Sequence, residues 1–557
     1  MMRNTSTQQM IALSLAASLL AGLSACGGSS EPDDQAAASV VDQTADSAPT
    51  EHIQAITPYN PTLPAEPKLP TSLCATISAT RTQSGGKLPD SLDADPAKSQ
   101  PDTANIQKAI NACAAGKAVR LVTNGSANAF LSGPLLLNSG VTLWVDTGVT
   151  LFASRSPVDF DNGGGNCGNA AGDGKSCYAL IRLKNAANSG VVGDGIIDGR
   201  GGSVLTSGVQ AGKMTWWDVA NLNEATGKKQ NNPRLINLMG GSNFTLYRVT
   251  LQNSPNFHVV VSGLDGLVAW GVKVLTPSLA YTVANYACAA GTMPDPTTAA
   301  TKPSTCFTPG TAANTDGIDP VESSNVTIAY SYISTGDDHI AIKAADAATS
   351  KVYLAHNHLY YGHGVSIGSE TTKGVSSVLV DDLSVDGFDD VQSNALRIKT
   401  YDTVGGDVSN VTYKNICARN VKQPLIFDPY YSSGKHTNSP NVHDIAITGM
   451  HVLASPKFGA GKVIFRGYNY GSTANLLTMK LDNVVFDSTG FLTSAGKKGG
   501  PTQPDYATLT LGPGPVTIPF VASSASKFTL VDSRKGTAAA IDCSSSFVKF
   551  PSTNSPI

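Results

Sequence analysis

Four short motifs bring together the residue types that acid–base chemistry needs. They are Asn314-Thr315-Asp316-Gly317, Gly336-Asp337-Asp338-His339, Gly362-His363-Gly364 and Arg397-Ile398-Lys399. The successive steps from Asp316 to Asp337, from Asp337 to His363 and from His363 to Arg397 are 21, 26 and 34 residues. Crowded carboxyl groups raise the pKa of at least one member, because like charges disfavour ionisation. Such a cluster can hold a protonated acid and an ionised base at one pH, as glycoside hydrolysis requires. Arg397 and Lys399 add cations that can grip a carboxylate.

Positioning residues so far apart in sequence requires a repeating scaffold. From about residue 135 the chain repeats loosely: Asn243-Phe-Thr-Leu, Asn325-Val-Thr-Ile and Asn410-Val-Thr-Tyr, with similar runs near Asp265, Lys351, Ser377 and His443. Short alternating strands at such intervals, without long helices, predict stacked coils in a parallel β-helix. Residues one coil apart would then lie roughly 4.8 Å from each other. Strand alternation turns Asn314 and Asp316 outward together, and likewise Arg397 and Lys399 around an inward Ile398. Adjacent Asp337 and Asp338 need an irregular backbone, which Gly336 can supply. One helix is predicted near residue 105, capped by Asp102 or Thr103, with Ile106, Ile110 and Cys113 on one face. It is placed to cover the open end of the stack.

The rest of the composition bounds the function. With 557 residues and 54 glycines the chain can build a large, turn-rich core. A net charge of -3 supplies no basic field, so nucleic-acid binding is not expected, and an acidic ligand must be attracted locally. Arg3, the apolar stretch from Met10 to Leu23 and Leu23-Ser24-Ala25-Cys26 resemble a lipoprotein-type signal peptide over residues 1–25. Cys26 would carry the lipid; an ordinary signal cut near Ala25 is the other reading. Residues 26–70 read as a disordered acidic linker, and 71–557 as the catalytic β-helix. The protein is expected outside the cytoplasm, on the outer membrane or extracellular. Any membrane attachment runs only through the Cys26 anchor.

The eight remaining cysteines suggest disulfides, most simply between sequence neighbours; Cys167–Cys177 and Cys288–Cys306 are the firmer pairs. No metal or other cofactor is expected, and the enzyme is read as a monomer.

The four ordered motifs resemble the polygalacturonase family, the pectin-degrading glycoside hydrolase family 28, from about residue 100 to the C-terminus. The resemblance implies a right-handed parallel β-helix that hydrolyses α-1,4-galacturonosidic bonds of polygalacturonate with inversion. It implies that Asp337 is the general acid and that Asp316 and Asp338 hold the water. His363 tunes or orients the acid. Arg397 and Lys399 bind a substrate carboxylate, or alternatively pair with the nearby aspartates. Asn314 belongs to the same substrate-binding set, and Tyr430 is its tyrosine, with Tyr431 an equal rival. Trp216 and Trp217 fit either sugar stacking or packing; His339 has no assigned role. The segment from about 281 to 313 is an insertion that could wall one end of the cleft. Competing readings are a calcium-dependent pectate lyase, a rhamnogalacturonan hydrolase, whose relatives generally lack the His and Arg-x-Lys motifs, and a non-catalytic carbohydrate-binding β-helix. Internal cutting is slightly favoured over attack from chain ends.

Overall fold

A computed structural model of the chain describes residues 57–557 except 170–173, 175, 296–301, 494–495, 522–526 and 536–538. The signal segment, Cys26 and most of the expected linker lie outside the described residues.

The chain winds into a parallel β-helix of stacked coils, each contributing strands to three faces. Register is continuous along each face. On the second face Leu246, Ala269, Ile328, Leu354, Val380 and Tyr413 pair in succession and point inward. On the third, Leu251, Val274, Ile333, Leu359 and Val385 do the same. Burying each such side chain contributes about 1.5–3 kcal/mol, so every added coil is stabilised by its neighbours.

The sequence repeat marks a bend. Asn243, Asn325 and Asn410 have φ of 54°, 54° and 52°, the left-handed conformation that Asn tolerates better than most residues. The register skips Asn325 and Lys351 together, and Lys351 and Ser377 together, where one face turns into the next.

The helix Thr103–Ala112 covers the N-terminal end, with Ile106 and Ile110 in the core. Neither proposed cap forms a cap bond. Asp102 instead pairs with Arg81 and accepts the Leu131 N–H at 2.7 Å. Four disulfides join sequence neighbours: Cys74–Cys113, Cys167–Cys177, Cys288–Cys306 and Cys417–Cys543.

Two expectations need correction. Residues 57–70 do not behave as free linker. Pro58, Pro61, Pro64, Pro67 and Pro70 recur every third residue, a spacing suited to a polyproline II strand. Tyr59, Leu63 and Leu69 pack on a patch containing Tyr247, Trp270 and Tyr353, and the Tyr247 hydroxyl donates to Glu66 at 2.7 Å. Nor is the helix near residue 105 the only one. Trp216–Ala225 is a helix, started by a reciprocal box in which Thr215 Oγ1 accepts the Asp218 N–H at 3.1 Å and Asp218 Oδ2 accepts the Thr215 N–H at 2.9 Å.

Candidate active site

On the first face Ile318 pairs with Ile340, Ile340 with Val365 and Val365 with Leu396. Asp316, Asp338 and His363 each stand two residues before those partners, so stacking sets them side by side. Asp337 and Asp338 lie in the bend between the strands Tyr332–Thr335 and Ile340–Ile342, which resolves their adjacency. Gly336 is required there by close packing: a Cβ would lie 2.0 Å from the Pro309 carbonyl oxygen and 2.5 Å from that of Ala312.

Asp338 is fully buried between cations. Arg397 pairs with Oδ1, which also accepts the Ser366 hydroxyl at 2.8 Å. Lys399 Nζ lies 3.0 Å from Oδ2 as an ion pair, and this oxygen has no hydrogen bond among the described residues. Burial pushes the Asp338 carboxyl up, but Lys399 and Arg397 outweigh it and hold it far below the usual carboxylate range.

Asp337 Oδ1 accepts from His363 Nδ1 at 2.9 Å and from the Asp338 N–H at 2.8 Å; Oδ2 accepts from Asn314 Nδ2 at 3.1 Å. Burial raises its pKa, but the facing His363 brings it below the ordinary value. A relay steadies the group from outside: Asn232 donates to Gln230 at 3.0 Å and Gln230 to Asn314 at 2.7 Å.

Asp316 differs from both. It is 1% exposed, neither oxygen finds a hydrogen-bond donor among the described residues, and Lys343 Nζ is 3.8 Å away. Burial, then the charges of Asp337 and Asp319, push its carboxyl well up. Asp319, buried 3.5 Å from Lys343, is pushed up to about 6, chiefly by desolvation. With Glu224 acting on Asp337 and Arg234 acting on Asp316 and Asp319, five carboxyls face four permanent cations, Lys343, Arg397, Lys399 and Arg234. Excess negative charge in a buried site favours retaining a proton, and in the free cleft Asp316 is the carboxyl most disposed to hold it.

His339, without a role on sequence grounds, is a buried brace. Its Nδ1 accepts the Gly364 N–H at 2.9 Å, so Nε2 carries the proton and donates to the Tyr360 carbonyl at 2.9 Å. Burial lowers its pKa to about 4, keeping it neutral. It ties the Asp337-Asp338 bend to the His363 loop. Gly362 and Gly364 have φ of 46° and 69°, and a Cβ on Gly364 would lie 2.1 Å from the Ala395 carbonyl oxygen. These glycines answer to the backbone, and closeness to a sugar is not needed to explain them.

The tyrosine assignment changes. The Tyr430 hydroxyl accepts the Asn469 N–H at 2.7 Å and its ring stacks on Tyr468, so it is engaged elsewhere. Tyr431 faces the cations, with Lys399 Nζ 4.9 Å and Arg397 Cζ 6.0 Å from its ring centre. Trp216 and Trp217 are fully buried and present no face to a sugar. Trp217 packs edge-on against Tyr281 and Phe307, and Asn221 donates to the Thr311 carbonyl at 2.8 Å. The described part of the insertion is thus anchored on the helix Trp216–Ala225 and packs behind the carboxylates.

Sequence reasoning missed Ser366, Lys343, Asp319, Gln230 and Asn232. Alternation from Ile340 and Leu396 would have marked Lys343 and Ser366 as outward; nothing marked the relay. Asp337, Asp338 and His363 offer metal-ligand atoms within 4.8 Å of one another. Arg397 and Lys399 already neutralise Asp338, and a cation there would meet their repulsion, so the donor set fits a metal poorly.

Residues 119–456 match the family model described as Glycosyl hydrolases family 28. The chain is 54% identical over 503 residues to a polygalacturonase of Ralstonia nicotianae, covering 88% of this chain and 93% of that protein. It is 42% identical over 420 residues to an endo-polygalacturonase of Pectobacterium parmentieri, covering 75% and 92%. The solved polygalacturonase from Erwinia carotovora ssp. carotovora superposes with a TM-score of 0.61 at 37% identity, over 77% of this chain and 96% of that one. The chain belongs to glycosyl hydrolases family 28.

Proposed function

We propose that this family 28 enzyme hydrolyses the α-1,4 bonds of polygalacturonate with inversion, cutting within the polymer. The observation that carries the reading is the buried cluster in which Asp337 is hydrogen-bonded by His363 and Asn314 beside cation-held Asp338 and donor-free Asp316. The names of the similar enzymes, polygalacturonase and endo-polygalacturonase, supply the substrate and the internal mode.

A galacturonate carboxylate binds Arg397 and Lys399, with Tyr431 beside it. Its negative charge disfavours ionisation of Asp337, so the proton of the cluster becomes available there. Asp337 gives it to the glycosidic oxygen as the C1–O bond breaks. Water held by Asp316 and Asp338 attacks C1 from the other face and releases its proton to Asp316, restoring the cluster. Asn314 and His363 orient Asp337 throughout.

The four disulfides suit an oxidising compartment. Export, with a lipid on Cys26 as the finer reading, belongs to the same proposal, as does action as a monomer. Labelled palmitate in the wild type but not in Cys26→Ala tests the anchor.

Digestion of polygalacturonate in the presence of chelator tests the chemistry. Saturated oligomers of mixed length, with the new anomeric centre inverted, are expected. Products absorbing in the ultraviolet, or loss of activity on chelation, would replace hydrolysis with elimination. Monomer or dimer alone at early times would overturn internal cutting.

A further inference from the structure

Arg182 and Arg234 lie on the same outer face as the carboxylates, on the side of Asp316 away from Arg397. Arg182 pairs across the ladder with Asn237, whose Oδ1 accepts from Arg234 Nη1 at 3.3 Å. The column continues from Asn237 through Val260 to Asp319. Ile236, Val259 and Ile318 are successive partners, so Arg234 and Asp316, each two residues earlier, are two coils apart. At roughly 4.8 Å per coil, each step is close to the repeat of one sugar ring along a polysaccharide.

Both arginines are half-buried, and neither forms an ion pair with a described carboxylate. Every other described arginine does: Arg81, Arg120, Arg155, Arg200, Arg248, Arg397, Arg419, Arg466 and Arg534. Arg182 Nε is buried without a hydrogen-bond partner. Aromatic rings hold the two side chains in place: Arg182 Cζ is 3.9 Å from the Tyr178 ring centre, and Arg234 Cζ is 5.5 Å from that of Phe257. No described carboxylate pairs with either guanidinium group, and Asp319 and Asp316 act on Arg234 only from beyond ion-pair distance, so two neighbouring cations that lose water are poorly compensated in the free protein. Burial shifts the Arg234 pKa down, and the more distant charges of Asp319 and Asp316 offset this only in part. The arrangement is relieved by an anion bridging the pair, and planar guanidinium groups select a carboxylate.

We propose that Arg182 and Arg234 form a second carboxylate-binding subsite, about two sugar rings from the cleaved bond, which takes a free galacturonate acid group and rejects its methyl ester. The proposal rests on the polygalacturonate reading and adds to it a length and ester requirement on one side of the cut.

Rates on oligogalacturonates of defined length test it, comparing wild type with R182Q/R234Q. A charge-assisted pair lost at this subsite lowers kcat/KM for oligomers long enough to reach it by roughly 10- to 100-fold more than for the shortest oligomers cleaved. Methyl-esterified long oligomers lose the same advantage in the wild type. R234K, which keeps charge but not the fork, falls between. The double variant melts no lower than wild type, because its unpaired charges are gone. Equal loss at all lengths, meaning steering alone, would overturn the subsite, as would an unchanged length preference or a marked fall in Tm. A wild type that cleaves no oligomer would sink the hydrolase reading itself.

Discussion

Asp93 and Asp338 are both buried aspartates gripped by two cations, yet only one stands in a candidate active site. Asp93 is fully buried, with Arg155 Nη2 2.9 Å from Oδ1 and Arg200 Nη1 2.5 Å from Oδ2. Beside it, Asp198 Oδ2 accepts from Gln252 and Asn253 at 2.8 and 2.9 Å, and Oδ1 from the Arg200 N–H at 2.7 Å. Every carboxylate oxygen there is satisfied, and the chain segment carrying Asp90 and Asp93 seals the arginines. Around Asp338 the ions are of the same kinds, but Asp316 has no donor and one Asp338 oxygen has only an ion pair. Buried polar groups are normally hydrogen-bonded, so atoms left without partners mark where a ligand or water belongs. A charge network alone does not distinguish structure from chemistry; a buried carboxyl with neither oxygen met, as at Asp316, does.

Substitutions can separate the two networks. Asp337→Asn should lower kcat/KM on polygalacturonate by roughly 100- to 10,000-fold, the weight of a general acid, with little change in Tm. Retained activity would remove Asp337 from that role. Asp93→Asn should do the reverse: it takes the paired counter-charge from buried Arg200, leaves Arg155 with only the exposed Asp90, and costs on the order of 3–5 kcal/mol in urea unfolding, while turnover per folded molecule is kept. A stable Asp93→Asn protein would erase the contrast. Arg397→Ala removes one substrate cation and half of the Asp338 clamp, and KM should rise by about 10- to 100-fold.

A pH profile probes the cluster more gently. Asp319 raises the Asp316 pKa through its negative charge. Asp319→Asn lowers that pKa, and because the proton that Asp316 holds in the free cleft is the one passed to Asp337, the basic limb of kcat/KM moves to lower pH. A limb that stays or moves up would show that Asp316 is not its source. The smallest effect concerns the tyrosines. Tyr431→Ala should raise KM a few-fold, on the scale of a lost cation–π contact of about 0.5–1 kcal/mol. Tyr430→Phe should leave it unchanged, and an inverted result would restore the assignment made from sequence.

Part of this site was legible because a β-helix has a simple address system. Alternation turned Ile398 inward between Arg397 and Lys399, and the ladder pairs Ile398 with Ile367 and Phe427. The repeat at Asn243, Asn325 and Asn410 was legible as a repeat, and the structure shows its cause, a left-handed bend that few residues accept. Residues that reach the site from loops could not be read this way. Gln230 and Asn232 arrive from the connection after the helix Trp216–Ala225, whose length follows no repeat. Tyr430 and Tyr431 lie beyond the end of the strand Gln423–Asp428, where alternation no longer tells which side chain turns to the cleft.

The sequence by itself determined the coils and the residue types that gather, because period-two patterning and turn propensities act over a few residues. Only the tertiary structure decided which carboxyl is held ionised and which is driven towards its proton. It also decided which tyrosine meets the cations and which arginines go unpaired. Those outcomes depend on distance, burial and competing charge, which are set by contacts between coils and loops far apart in the chain.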